Sequence, residues 1–231
     1  MQHSSNAKTG NHLLDALPAE SLERLRPHFE PAAFVLGEPL HTGEHLYFPT
    51  TGMISVIATM ADGASVEIGL VGREGMHSIA AFLNEDTPFQ TAIVQLPGHA
   101  LRLKMALLRL EMQERVPVQK LLLRYTQAVL IAVAQSAACN RLHVLEQRCA
   151  RWLLACRDRA EADTFPMTQE FLALMLGVQR PGVTVAAQSL REDGLITYNH
   201  GTMTVLDRHG LEAASCECYR VIHDQFGRPF D

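Results

Sequence analysis

The chain has 231 residues, 47% of them hydrophobic, with 20 Lys and Arg against 25 Asp and Glu for a formal net charge of −5. That length holds one large domain or two ordinary ones with real cores. No stretch approaches the roughly 18 consecutive apolar residues of a membrane span, because even the run Ala128 to Ala134 is bounded by Arg124 and Gln135. The five cysteines, Cys139, Cys149, Cys156, Cys216 and Cys218, are odd in number and include no Cys-x-x-Cys pair, which argues against a disulfide framework and a zinc finger.

The N-terminal stretch MQHSSNAKTG is polar and lacks the apolar centre of a secretory signal, so a cytoplasmic protein with a disordered leader over residues 1–10 is expected. From Pro31 to Leu103, short apolar runs alternate with turn signals at Thr42-Gly43, Thr51-Gly52, Asp62-Gly63, Val71-Gly72 and Asn84 to Pro88. GMISVIAT and SVEIGLV flank MADGA, which predicts a β-hairpin because Asp-Gly supplies the positive φ of a tight turn. Strands at this spacing predict an all-β roll or barrel. After Pro117 the pattern becomes helical, and Leu121 to Cys139 is apolar on nearly every face. Such a helix must be buried on more than one side. Its own β domain covers one side and a second copy covers the other, with Leu121, Leu122, Tyr125, Val129 and Ala132 as the dimer residues of a helix over 117–139.

A further helix over Arg141 to Arg159 carries Leu142, Leu145, Cys149, Trp152, Leu153 and Cys156 at amphipathic spacing and opens a small domain. Cys149 and Cys156 share one of its faces and read as small buried hydrophobes. Cys216-x-Cys218 reads as a redox pair or half a metal site, too little alone to assign a metal ligand. The stretch TQEFLALMLGVQRPGVTVAAQSLREDGLI, Thr168 to Ile196, has the apolar spacing of two helices joined by a sharp turn at Gly177. Thr168 caps the first. Pro181 sits in the first turn of the second, where a missing N–H is harmless, so it starts that helix rather than breaking it. Val183, Ala186, Ala187 and Leu190 are expected to face inward. Gln179, Arg180, Gly182, Thr184 and Gln188 then face outward near the helix start, an arrangement suited to a DNA major groove. Arg180 can donate a bidentate pair to guanine, Gln179 can read adenine or bridge to phosphate, and Gly182 removes a side chain where the helix presses on the DNA backbone. Two short strands, Leu195 to Tyr198 and Thr202 to Leu206, around Asn199-His200-Gly201 predict a wing. Thr168, Gln169 and His200 complete the expected contacts to double-stranded DNA.

The pair LYFPTTGMISVIATMADGASVEIGLVGREGM and TQEFLALMLGVQRPGVTVAAQSLREDGLI, in this order and separated by a long apolar helix, resembles the Crp/Fnr family of bacterial transcription regulators, and the likeness runs from Asn11 to Phe226. The resemblance implies an α+β chain: a β-roll sensor domain of the cyclic-nucleotide-binding type over 11–116, a dimerisation helix over 117–139 and a winged helix-turn-helix over 140–231. It also implies a homodimer on a pseudo-palindromic site; no enzymatic activity is expected, and RNA polymerase is a candidate further partner whose direct contact the sequence does not reveal. The effector pocket would fall at Glu74, Gly75, Met76, His77, Gln90 and Thr91.

Departures from the family pattern matter as much. After Gly75 come Met76 and His77 rather than a glutamate, and Gln90-Thr91 stands where an arginine holds the cyclic phosphate. A neutral amide lacks the charge and forked geometry of arginine, so cyclic AMP is not expected to bind in the usual way. No cysteine precedes Cys139, which argues against the family's iron–sulfur cluster, and no cofactor is assigned. In the recognition helix, Pro181 and Val185 replace the acidic residue and second arginine of the best known members, so the target sequence should differ while keeping a guanine opposite Arg180. The arginines from Cys139 onward (Arg141, 148, 151, 157, 159, 180, 191, 208, 220 and 228) are matched by a similar number of acids, including Glu161, Asp163, Glu212 and Glu217. DNA binding therefore requires the arginines to gather on one face. Two other chemistries are weighed: a cupin-like metal site on His41, Glu44 and His45, whose HTGEH spacing does not fit the cupin pattern, and a sensor binding haem or another small effector through Met76, His77 or His99.

Overall fold

The computed structural model describes residues 8–40, 43–77, 79–83 and 90–227. Residues 1–7 of the expected leader lie outside them, as do His41 of the cupin alternative and the whole Asn84 to Pro88 turn. The end of the leader differs from expectation: the Thr9 backbone N–H and hydroxyl donate to the Asp15 carboxylate at 2.7 and 2.8 Å, so the chain is already fixed there. Two short helices follow, α1 (His12–Asp15) and α2 (Ala19–Leu25). Asn11 caps α1 and, fully buried, donates to the Pro49 and Gly75 carbonyls at 2.9 and 2.8 Å. One amide thus ties the N-terminal segment to a strand end and a loop of the next domain.

Among the described residues, seven strands build that domain: β1 (Glu30–Phe34), β2 (Pro39–Leu40), β3 (His45–Pro49), β4 (Met53–Thr59), β5 (Ser65–Val71), β6 (Gln90–Leu96) and β7 (Gly98–Lys104), with the short helix α3 (Ile79–Leu83) between β5 and β6. They form a three-stranded sheet in the order β1-β7-β3 and a four-stranded sheet in the order β2-β6-β4-β5, with every pairing antiparallel. The predicted hairpin is present. Thr59 pairs with Ser65, Gly63 has φ +86°, and the Asp62 side chain accepts from the Ala64 N–H at 3.0 Å. Phe34, Ile54, Val71, Ala92, Val94 and Ala100 form a core for the roll.

Helix α4 (Met105–Glu114) leads to the long helix α5 (Val116–Leu142), which starts at the predicted place and runs three residues further. His143 and Val144 are extended, at φ −103°, ψ 147° and φ −69°, ψ 156°, so the next helix, α6 (Leu145–Ala160), begins four residues later than expected. By length and composition alone α5 could cross a bilayer. Its packing shows another use. Val118, Leu121, Leu122 and Tyr125 are buried within the chain with Leu13, Leu14, Phe48 and Leu103. The dimer assignment of Leu121, Leu122 and Tyr125 is therefore corrected: they face their own chain, while Val129 and Ala132 are half-buried. The outward face carries Val116, Leu123, Leu130 and Ala137, spaced by seven residues and all exposed.

The C-terminal domain comprises α6, β8 (Thr164–Pro166), α7 (Gln169–Leu176), α8 (Arg180–Glu192), β9 (Ile196–Asn199), β10 (Thr202–Val205), α9 (Arg208–Ala214) and α10 (Cys218–Gly227). The strand order β8-β10-β9 adds a third strand to the expected wing. Its core of Cys149, Trp152, Leu153, Cys156, Leu172, Met175, Val183, Leu190, Ile196 and Met203 is continuous with Met53, Ile57 and Leu96 of the roll. The two domains are thereby docked on one another.

Candidate nucleic-acid interface and sensor cavity

Thr168 and Gly177 define α7 from its two ends. The Thr168 hydroxyl accepts from the Phe171 N–H at 3.1 Å, satisfying an otherwise orphaned donor. Gly177 is left-handed, with φ +64° and ψ 40°, and Val178 N–H donates back to the Ala173 carbonyl at 3.0 Å. A Cβ at Gly177 would also press on Val66 of β5, so this glycine serves the turn and the domain contact together. Helix α8 then opens with Gln179 at its cap and Pro181 in its first turn. Val183, Ala186, Ala187 and Leu190 are buried as expected.

The outward face of α8 holds Gln179, Arg180, Thr184, Val185 and Gln188, all exposed. Arg180 is ion-paired with Glu170 at 2.6 Å, both side chains being 62% exposed. Thr184 donates to the Gln169 side chain at 3.0 Å, and Gln188 donates to Glu192 at 2.7 Å. Gly182 corrects its expectation. A Cβ there would lie 3.1 Å from the Leu145 side chain, so the missing methyl admits α6 on the inner side rather than DNA on the outer. Val185, 72% exposed, is the residue the sequence reading passed over as a contact, although its position five residues from Arg180 put it on the outward arc. At the wing tip, His200 and Gly201 have φ +46° and +80° between the paired residues Asn199 and Thr202. Two positive φ values make the primed turn whose twist suits adjoining strands, and hold the exposed His200 at the apex.

Three other arginines of the C-terminal domain are committed within the fold. Arg157 pairs with Asp163 at 2.7 Å, Arg208 with Asp158 and Glu212 at 3.0 and 2.8 Å, and Arg159 with Glu74 at 2.7 Å.

Between the roll, α5 and the C-terminal domain lies a cavity of about 360 Å³, within the range of small-molecule sites. Of the predicted pocket residues, Glu74, Met76 and His77 line it. Gly75 sits against α5, where a Cβ would collide with the Tyr125 hydroxyl. That hydroxyl accepts from the Met76 N–H and donates to the Met76 carbonyl, both at 2.9 Å, locking the loop to the helix. Thr91 does not join the site: it pairs with Ile57, is exposed and lies outside the lining. Gln90 pairs through its backbone with Ala58. His99 lies exposed on β7, also outside the lining.

The cavity is mainly apolar, with Glu67, Arg151 and Arg159 among its polar residues. Glu67 accepts from the Trp152 indole at 2.9 Å and meets the Ser55 hydroxyl at 2.9 Å, and desolvation lifts its carboxyl to about 7. Ser55 also meets the Gln95 amide oxygen, and one hydroxyl proton cannot serve both acceptors. A proton on Glu67 completes the chain. His77 is buried, its Nε2 has no partner among the described residues, and desolvation lowers it to about 4, so its ring is neutral.

Although no metal ligand was assigned from the sequence, Cys139, His143, Cys216 and Cys218 converge where α5 meets α10, their ligand atoms all within 4.8 Å of one another. Cys149 and Cys156 are buried elsewhere, where desolvation pushes the Cys149 thiol up to about 12, as expected of inert core residues.

Residues 147–214 match the family model described as a Crp-like helix-turn-helix domain. No curated protein matches the chain's sequence. Among solved structures, a transcriptional regulator assigned to the Crp/Fnr family from Eubacterium rectale is similar at 16% identity and a TM-score of 0.67, covering 90% of this chain and 99% of that one. The c-di-GMP-responsive global regulator CLP of Xanthomonas campestris is similar at 16% and 0.67, over 82% of this chain and 100% of that one. FixK2 of Bradyrhizobium japonicum is similar at 16% and 0.68, over 81% and 98%. Over 81% to 90% of its length the chain thus has the fold of these Crp/Fnr-type regulators, with a Crp-like helix-turn-helix domain over residues 147–214.

Proposed function

We propose that this chain, which joins a Crp-like helix-turn-helix domain to the fold of Crp/Fnr transcription regulators, is a homodimeric, sequence-specific DNA-binding regulator acting in the cytoplasm on a pseudo-palindromic site. The carrying observation is the solvent face of α8: Arg180, Thr184, Val185 and Gln188 project together from a helix whose opposite face is buried. Arg180 exchanges Glu170 for a guanine O6/N7 edge, and Val185 supplies an apolar contact for a thymine methyl. Thr168, Gln169 and the wing residue His200 approach the backbone, whose contacts fix register without specifying sequence.

The seven-residue stripe on α5 supports the dimer. Val116, Leu123, Leu130 and Ala137 repeat at the interval that makes a two-stranded seam, and a two-fold copy of α5 buries them against themselves. The cavity supports a sensor for a small, mainly apolar effector rather than a cyclic nucleotide. Its two lining arginines come from α6, and Arg159 is already neutralised by Glu74. An effector that fits one placement of the C-terminal domain better than another shifts the population able to span two half-sites.

Selection of binding sites from random DNA by the ligand-free full chain tests this function. Enrichment of an inverted repeat with half-sites about one helical turn apart supports it. Failure to enrich any sequence, with and without a metabolite pool, overturns it.

A further inference from the structure

We propose that Cys139, His143, Cys216 and Cys218 form a Cys3His site for a single zinc ion, clasping the end of α5 to the start of α10. The Cys139 and Cys216 sulfurs are 3.5 Å apart, as are the Cys218 sulfur and His143 Nδ1. A tetrahedral zinc ion with Zn–S near 2.3 Å and Zn–N near 2.1 Å spaces its ligands by roughly 3.5 to 3.8 Å. All four ligand atoms lie within 4.8 Å of one another, which suits one ion and is too compact for the thiolate corners of an iron–sulfur cluster. Three thiols and an imidazole in this geometry select zinc over hard cations.

Local structure prepares each ligand. Cys139 and His143 are four residues apart across the last turn of α5, so both project from one side, while Cys216 and Cys218 flank Glu217 at the entry to α10. With Nδ1 toward the sulfurs, His143 Nε2 lies 3.3 Å from the Glu217 carboxylate, the outer partner that orients metal-bound imidazoles. The Gln135 amide donates to the Cys218 sulfur at 3.0 Å. Three thiolates and a divalent ion leave one net negative charge. Arg148 and Arg151, each with a buried Nε lacking a partner among the described residues, come from the α6 side to balance it. The three cysteines are also buried as a small cluster of their own rather than dispersed in the main core.

The site bridges residues 77 apart and spans the bend at His143 and Val144. It would therefore fix how the C-terminal domain leaves the long helix.

The test is metal analysis of the reduced, tag-free full chain after zinc loading and dialysis against a weak chelator, with cobalt substitution as an independent readout. About one zinc per chain is expected, together with tetrahedral cobalt bands and thiolate-to-cobalt absorption. Cys218→Ser and His143→Ala should lower retention at least about tenfold, whereas Cys149→Ala should retain the ion. Folded wild-type protein that holds no zinc and gives no thiolate–cobalt absorption overturns the proposal, whatever the variants do. So does full retention by the Cys216→Ser/Cys218→Ser double variant, or a metal-free Cys139–Cys216 disulfide as the stable form. None of these readouts involves DNA, so the outcome is separable from the proposed regulatory function.

Discussion

Arg180 is held by an exposed partner, and that determines what its removal should show. An ion pair between two side chains that are both 62% exposed contributes little to stability, so Arg180→Ala should leave the thermal midpoint nearly unchanged. On DNA the effect should be large and local: about 1 to 3 kcal/mol lost on the selected site, with relaxed preference at one base pair. Binding to random DNA should fall far less. Titration of the variant against both DNAs checks this, and an equal loss on each would make Arg180 a phosphate contact. Glu170→Gln should act in the opposite sense, tightening both complexes modestly, because it frees the guanidinium and removes an anion from the surface facing phosphate.

Helix α5 has one buried face and one exposed face, and the two should respond differently to substitution. Leu123 is 55% exposed while Leu122 is 2% exposed. Leu123→Glu places a charge in the proposed seam and should convert the proposed dimer to a folded monomer in sedimentation or light scattering, with little change in the chain's spectrum. Leu122→Ala should instead lower stability by about 2 to 5 kcal/mol, the usual penalty for emptying a core site, while leaving the association surface intact. That α5 is apolar nearly all round was legible in the sequence. Which of its residues pack on the roll was not, since the chain pattern does not say where the roll lies. The β4–β5 hairpin and the α7–α8 turn were legible because Asp62-Gly63, Gly177 and Pro181 each carry a strong local conformational preference. β8 was not, because Thr164-Phe165-Pro166 is too short to show a period and exists only through its pairing with β10. The role of Gly182 depends on Leu145, and the cysteine–histidine cluster on residues far apart in sequence; both are products of tertiary structure.

At the scale of the whole molecule, the cavity between the roll, α5 and the C-terminal domain is lined by two groups whose titrations oppose each other. Glu67 joins β5 to Trp152 of α6, and its folded carboxyl sits near 7 against an ordinary value of 4.5. An acid raised in this way is most compatible with the fold when protonated, so its contribution is present at low pH and is lost as pH rises from about 4.5 through 7. Arg151 and Arg159 moderate the shift but do not reverse it. His77, near 4 against 6.5, does the reverse: the unfolded chain takes up its proton first, so stability rises as pH climbs from about 4 through 6.5. Each shift corresponds to about 3 kcal/mol when complete, and the two windows overlap. Wild-type stability from these two groups should therefore be nearly flat between about pH 5 and 7, with either substitution exposing the other slope. Glu67→Gln removes the falling contribution, and its denaturant midpoint should rise with pH across that interval. His77→Leu removes the rising contribution, and its midpoint should fall. Parallel midpoint–pH curves for wild type and both variants would mean that neither group is held in the state its burial implies. Opposed slopes would place the proton on Glu67, at the contact its carboxyl makes with the Trp152 indole.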